Sequence, residues 1–261
     1  MFSVANTVTN PDYMKSEQLK KYEADYSELP FEDVLRTYRQ ENIFTQLAAT
    51  GAKRILEIGS GPLPLFKSMD NFERMVVVEP GDHFFSIAKD LAGDDKRITV
   101  IHDFFENIVD ELVPEKFDFI ILGGFLHEIS NPDEVLQLVQ KVCHPTTIVH
   151  SFVPNAKSFH RLLASEMGLI KDIYQKSAHD ELFNRTAVYN MDSFKELFQK
   201  NNYSVESFGT YFMKPFTNSQ MQQMVLSQII TASVLEGLNK IIRYFPDNGS
   251  EMFINGIMNS L

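Results

Sequence analysis

The chain is poor in cysteine and in basic charge, and it has no long unbroken apolar run. Cys143 is the one cysteine among 261 residues. An internal disulfide is therefore impossible, and no cysteine-based metal spacing can exist. No metal site is expected, and a single thiol fits a reducing, cytoplasmic location. Lys and Arg number 24 against 35 Asp and Glu, a formal net charge of −11. Proteins that grip nucleic acid by its phosphates usually carry a basic surface. Nucleic acid and anionic membrane are therefore poor partners for this composition, and small acceptors remain open. No stretch reaches the roughly 20 apolar residues of a membrane span. The opening stretch, "MFSVANTVTNPDYMKSEQLKKYEADYSEL", lacks a basic segment followed by an apolar run, so it does not read as a signal peptide.

What is present supports one large domain with additions. Hydrophobic residues make up 44% of the chain, enough for a substantial core. Residues 1–50 read as a helical N-terminal segment that could cover a site. In "FEDVLRTYRQENIFTQLAA", Leu35, Tyr38, Ile43 and Leu47 share one face at helical spacing. Tyr13, Tyr22 and Tyr26 could reach a ligand from this segment or simply cover the core.

An alternation then begins. "RILEI", "RMVVVEP", "RITVIH", "FDFIILGG" and "TTIVHSFVP" read as strands, separated by helical stretches such as "LPLFKSMD", "DHFFSIAKDLAG" and "NPDEVLQLVQKVC". Asn131 is a natural cap for the last of these, with Pro132 in its first turn. Nearly continuous apolar strands between helices imply a parallel sheet covered on both faces. Residues 154–190 form a polar, helix-like insertion. "NMDSFKELFQKNN" is a further helix, and the extended runs around Gly209 in "YSVESFGTYFMKPF" suggest an antiparallel closing hairpin. The expected fold is α/β: a Rossmann-like, doubly wound, mostly parallel seven-stranded sheet closed by that hairpin. Its domain would span residues 51–216. Residues 217–261 read as a C-terminal helical extension, in which Met224, Ile229, Leu235, Leu238 and Ile242 are packing positions.

The segment "KRILEIGSGPLPLF" carries the first functional signal. Gly59 and Gly61 fall where the first strand gives way to a helix, and glycines there let the backbone pass close to a ligand. Dinucleotide folds use G-x-G-x-x-G at this turn. Here the third glycine position is Pro64, and no lysine of a phosphate-gripping loop is present. Glu79 ends the second strand about 20 residues on, where an acid can hold ribose hydroxyls. Asp103 and Phe104 follow the third strand, an acceptor for an adenine amino group and an aromatic face for the ring. Gly123 and Gly124 end the fourth. Four successive strand ends carry suitable groups, which is where ligands bind in such sheets.

Together these residues resemble the class I S-adenosylmethionine-dependent methyltransferases, most closely over residues 53–151. The resemblance implies S-adenosyl-L-methionine as cofactor. Gly59 and Gly61 would border its methionine part, Glu79 would hold both ribose hydroxyls, and Asp103 and Phe104 would frame adenine, with Glu57, Ser60, Pro80 and Gly123 also in the cofactor site. Pro62 and Pro64 depart from the commonest form of the glycine loop.

Methyl transfer is an in-line displacement governed by positioning, and an oxygen acceptor also needs a base. His127 follows the fourth strand in "GGFLHEIS" with Glu128 beside it, and "LHEI" is similar to the segment of many small-molecule O-methyltransferases. His127 is the first candidate base, with packing under the cofactor as the open alternative. His150, at the end of the fifth strand, faces either the cleft or the core. His160, Arg161 and His179 lie in the insertion. "HSFVPNAKSFHRLLASEMGLI", "YFMKPFTNSQM" and "EGLNKIIRYFPDNGSEMF" are similar to bacterial methyltransferases of sugar and surface-polysaccharide biosynthesis. That similarity makes Asn155, His160, Arg161 and Lys214 candidate acceptor contacts. The expectation is methyl transfer to a hydroxyl of a small molecule, a sugar or secondary metabolite, with a homodimer compatible. Competing readings are an NAD-dependent oxidoreductase, a methyltransferase-fold protein that binds cofactor or partner without turnover, and a nucleic-acid methyltransferase. The last would need an N/D-P-P-aromatic segment where this chain has "GGFLHE".

Overall fold

A computed structural model describes residues 16–183 and 185–259, without the side chains of Ser16, Ala178 and His179. Tyr13 lies outside the described residues. Seven strands form one sheet: β1 (Arg54–Ile58), β2 (Arg74–Val78), β3 (Ile98–Ile101), β4 (Phe119–Leu122), β5 (Ile148–Pro154), β6 (Tyr203–Tyr211) and β7 (Glu251–Met258). Their order is β3-β2-β1-β4-β5-β7-β6. The first five strands pair in parallel, and β7 runs antiparallel to both β5 and β6.

Among the described residues ten α-helices surround the sheet: α1 (Ser16–Ser27), α2 (Glu32–Thr50), α3 (Asp82–Ala92), α4 (Phe105–Leu112), α5 (Pro132–Gln140), α6 (Phe159–Glu166), α7 (Ala178–Leu182), α8 (Met191–Lys200), α9 (Asn218–Leu226) and α10 (Ala232–Lys240). Side chains alternate faces along each strand, so the sheet has two cores. Leu56, Ile58, Val76, Val78, Ile120 and Leu122 pack with α4, α5 and α8. Ile55, Met75, Val77, Phe119 and Ile121 pack with Leu35, Tyr38, Ile43 and Leu47 of α2 and with Phe212 and Met221. Asn131 caps α5 as its sequence implies, its side chain accepting from the Glu134 amide.

Three expectations change. The closing pair is not a local hairpin: β6 runs straight through Gly209, and its partner β7 comes from the end of the chain, with Gly209 opposite Phe253. The segment 217–261 is therefore not wholly helical, because residues 251–258 supply a buried inner strand of the sheet. Ile229 is exposed at the break between α9 and α10, while Met224, Leu235 and Leu238 do pack. The stretch after the glycine turn is a single 3-10 turn, Leu65–Ser68, in place of a helix. Pro64 holds an extended conformation just before it, and Pro62 also lacks an amide to donate into a helical turn.

Candidate active site

Strand β1 ends in Glu57 and Ile58, then turns at Gly59 and Gly61, both with positive φ (77° and 58°) that other residues rarely adopt. The ladder continues past the strands: the Gly59 amide donates to Val78 O, and the Gly123 amide to Ile58 O. A Cβ on Gly123 would lie 1.9 Å from Gly59 O, so only glycine lets these two strand ends close together. Above them, at the carboxyl ends of the parallel strands, lies a cavity of about 700 Å³. That is within the usual range for ligand sites, roughly 300–1,000 Å³.

Glu57 and Glu79 project from the same face of adjoining strands into this cavity. Glu57 Oε2 accepts from the Leu65 amide at 3.1 Å. The turn amide that would face a dinucleotide phosphate is thus taken by a carboxylate, and no full helix N-terminus stands behind it. Burial pushes the Glu57 carboxyl up to about 8, against the pull of that amide. Glu79 accepts from the Gly81 and Gly61 amides, both at 3.0 Å, and from Ser60 Oγ at 3.3 Å. Burial raises its pKa too, although the two amides oppose the shift. Glu23 of α1 reaches the same corner, where its buried carboxylate accepts from the Phe84 amide near the start of α3 at 2.8 Å. Three buried carboxyl groups around one corner favour a ligand rich in hydrogen-bond donors, since a buried polar group left without a partner is costly.

The other end of the cavity lies over β4 and β5. Glu128, its side chain 14% exposed, lines the wall there. Tyr22 of α1 donates to Glu128 Oε2 at 3.1 Å, and Arg185 Nε stands 3.5 Å from Oε1. Burial raises the Glu128 carboxyl to about 7, opposed by Arg185 and the Tyr22 hydroxyl. Tyr22, Tyr26, Phe84 and Phe183 form a roof of ring contacts, with centroids 5.2–6.4 Å apart. Arg39 of α2 lies 5.1 Å over the Phe152 ring. It forks onto Glu251 of β7 and also donates to Glu32, at 3.0 Å. Burial alone would raise the Glu251 carboxyl, but Arg39 and the Tyr211 hydroxyl hold it below its usual range.

The structure therefore brings Glu57, Gly59, Ser60, Gly61, Glu79, Pro80, Phe104, Gly123 and Glu128 together around one cavity. The remaining candidates lie elsewhere. Asp103 is turned back onto the Phe104 amide and the Asn107 side chain, both at 2.7 Å, and does not line the cavity. His127 is buried behind Glu128, with Nε2 3.5 Å from Oε1, while its carbonyl accepts from the Thr186 and Ala187 amides. His150 is a core residue, not a cleft residue. It stacks between Phe119 and Phe253 and bonds Asn255 Oδ1 at 2.7 Å, and burial lowers its pKa to about 4.

The four sugar-contact candidates are likewise displaced. Asn155 donates to the Asp247 and Gly249 carbonyls, fixing the approach to β7. Arg161 is spent on the Ile173 and Gln175 carbonyls and on Asp180. His160 and Lys214 lie off the cavity wall; burial pushes Lys214 down to about 8, against the attraction of Glu251 and Glu32. The side chain of His179 is outside the described residues. Sequence reasoning missed Arg39, Phe152, Phe183 and Arg185. Nothing in their local patterns marks them: Arg39 comes from α2, Phe152 from β5, and Phe183 and Arg185 from the segment after α7, with Arg185 reaching Glu128 and not the cavity itself. Tyr22 and Tyr26 were visible as ligand candidates.

No protein-family model matches the sequence, and no curated protein does either. Solved structures do match in shape. The plantazolicin methyltransferase BamL, crystallised with a triazolic desmethylPZN analog and SAH, is 17% identical over 94% of this chain and 97% of its own, with a TM-score of 0.56. A SAM-dependent methyltransferase from Aquifex aeolicus is 12% identical over 95% and 100%, with a TM-score of 0.54. The chain has the fold of the class I S-adenosylmethionine-dependent methyltransferases. That fold also carries other chemistry: the [4+2]-cyclase SpnF matches at 12% identity over 85% of this chain and 80% of its own, TM-score 0.52. The methyltransferase fold accounts for the antiparallel β7 between β5 and β6, which a dinucleotide-binding sheet of strand order 3-2-1-4-5-6 does not contain. Among the described residues no helix is long and apolar enough to cross a membrane.

Proposed function

We propose that this protein transfers a methyl group from S-adenosyl-L-methionine to a hydroxyl oxygen of a small molecule. The carrying observation is the cavity itself. One end is lined by Glu57 and Glu79, with Glu23 buried behind them, and the other by Glu128 under an aromatic roof. The acidic end suits a ligand with an ammonium group, a sulfonium and a ribose diol. Glu79 would hold the ribose hydroxyls, and the Gly59–Gly61 turn and Glu57 would face the methionine part. Phe104 would lie against adenine, without help from Asp103. The presence of SAH in the similarly folded BamL supports this assignment. When bound, the cofactor supplies an activated methyl group.

The chain's own part is positioning and proton removal. Glu128 takes the proton of the acceptor hydroxyl; its raised pKa keeps it a competent base near neutral pH. Tyr22 and Arg185 hold the carboxylate in place, and His127 supports it from behind. The roof of α1 excludes water from the transfer. Nucleic-acid methylation is disfavoured by the net charge of −11. The cytoplasm is the expected location. The test is calorimetric titration of the purified chain with S-adenosylhomocysteine and, separately, NAD. Micromolar binding of the first alone supports the reading, and binding of NAD alone overturns it. Binding of S-adenosylhomocysteine without turnover on any hydroxylated acceptor favours a binding protein.

A further inference from the structure

Resting on the methyl-transfer reading, we propose that the acceptor is a planar aromatic ring carrying a hydroxyl, seated under Tyr22, Tyr26 and Phe183 with that hydroxyl at Glu128. Several polar groups of this end are already committed. Tyr22 donates to Glu128, Tyr26 to Glu32 at 2.7 Å, Thr186 to the Ile129 carbonyl at 2.6 Å, and Arg39 to Glu32 and Glu251. A polyol placed here would bury several hydroxyls where Glu128 can take one and the Tyr22, Tyr26, Thr186 and Arg39 donors are already in use, and each unmet hydroxyl is costly. A flat apolar ring meets the aromatic roof without that loss. A carboxylate has about four lone-pair sites, so Glu128 can accept one more hydroxyl beside Tyr22. The residues named for a sugar, Asn155, His160, Arg161 and Lys214, lie off this wall.

The chemistry agrees. The acceptor oxygen forms the new O–C bond as the donor's C–S bond breaks. The electron pair stays on sulfur, which becomes a neutral thioether, and the hydroxyl proton goes to Glu128. A phenolic hydroxyl near pKa 10 lies about 3 units above Glu128. An aliphatic hydroxyl resembles water, near 16, and lies about 9 units above it. Glu128 is faced by Tyr22 from α1, Glu32 from α2, His127 beside it and Arg185 from the segment before α8.

The experiment is calorimetric titration of the full chain saturated with S-adenosylhomocysteine. The probes are 4-methylphenol and 2-naphthol, their saturated counterparts 4-methylcyclohexanol and decahydro-2-naphthol, and UDP-glucose. The expected result is at least tenfold tighter binding of a phenol than of its saturated partner. UDP-glucose should bind more weakly than either phenol. In Phe183→Ala the phenol preference should fall at least fivefold with S-adenosylhomocysteine affinity unchanged. Equal or tighter binding of the saturated alcohols or UDP-glucose overturns the proposal. So does the absence of phenol binding at millimolar concentration in a chain that holds S-adenosylhomocysteine. Failure to bind S-adenosylhomocysteine at all overturns the methyl-transfer reading and this inference with it. The ligand comparison in the unmodified chain decides the matter even if Phe183→Ala fails to fold.

Discussion

At one end of the cavity Glu57, Glu79 and Phe104 come from the ends of three neighbouring strands, Glu57 within the last pairs of β1 and the other two one and three residues past β2 and β3. At the other end Tyr22, Arg39, Glu128, Phe152 and Phe183 come from α1, α2, the loop after β4, β5 and the segment after α7. The first end is made of backbone turns and carboxylates whose partners are nearby amides. The second is made of long side chains that meet only through tertiary packing, with Arg39 joining α2 to the last strand. A parallel sheet fixes the first arrangement almost automatically, since its strand ends must lie side by side. Nothing in the sheet fixes the second. On the methyl-transfer reading, the first end serves the cofactor and the second the acceptor.

The sharpest break between the two ends should come from Glu128→Gln. Loss of the base is expected to lower turnover by about 10²–10⁴-fold while S-adenosylhomocysteine affinity stays the same. Wild-type turnover should rise with pH through about 7 as Glu128 ionises, and the variant should lose that limb. Equal losses of turnover and cofactor affinity would erase the division of labour. Arg39→Ala comes next. It strands the buried carboxylates of Glu251 and Glu32, and breaking such a pair costs about 3–5 kcal/mol. Denaturant unfolding would show this, and a loss below about 1 kcal/mol would mean that the acceptor end is not locked to β7.

Glu57 sharpens the comparison through pH. Its folded pKa, about 8, stands above its ordinary 4.5. The folded state therefore holds a proton that the unfolded chain has released. Its contribution is fully present below about 4.5 and is lost as pH rises to about 8. One proton corresponds to about 1.4 kcal/mol per pH unit. Glu57→Gln should flatten the fall in ligand-free stability over that window, as read from unfolding midpoints, and an unchanged slope would show that Glu57 is ionised when folded.

A smaller effect is expected from Glu79→Ala, about 1–3 kcal/mol in S-adenosylhomocysteine affinity, with turnover at saturating cofactor nearly intact. The smallest is Gly61→Ala. A Cβ there meets nothing within 4 Å, so the only cost is the positive φ, about 1 kcal/mol of stability. A much larger loss would mean that the turn is held more rigidly than its open surroundings suggest.

The strand-built end was readable from the chain. "EIGSGP", "VVVEP" and "HDFF" each place a functional group within a few residues of an apolar strand, and period-two alternation sets Glu57 and Glu79 on one face. Even there Asp103, expected at adenine, bonds the Phe104 amide and the Asn107 side chain, as an Asp just before a helix readily does. His127 drew attention as the nearest titratable ring, yet the carboxylate one residue later is the group that reaches the cavity. His150 sits in mid-strand, where the alternation that buries Ile148 and Phe152 buries it as well.

The sequence by itself determined the alternating strands and helices, the glycine turn, the acids at the strand ends and the acidic, cysteine-poor character. These depend on periodicity and on contacts between residues close in the chain. Tertiary structure alone decided that residues 251–258 slide between β5 and β6, and that Arg39 meets Glu251 across 212 positions. It also decided that Tyr22 closes over Glu128 from 106 positions away. Such pairings are set by which surfaces the whole fold buries together, and local pattern carries no record of them.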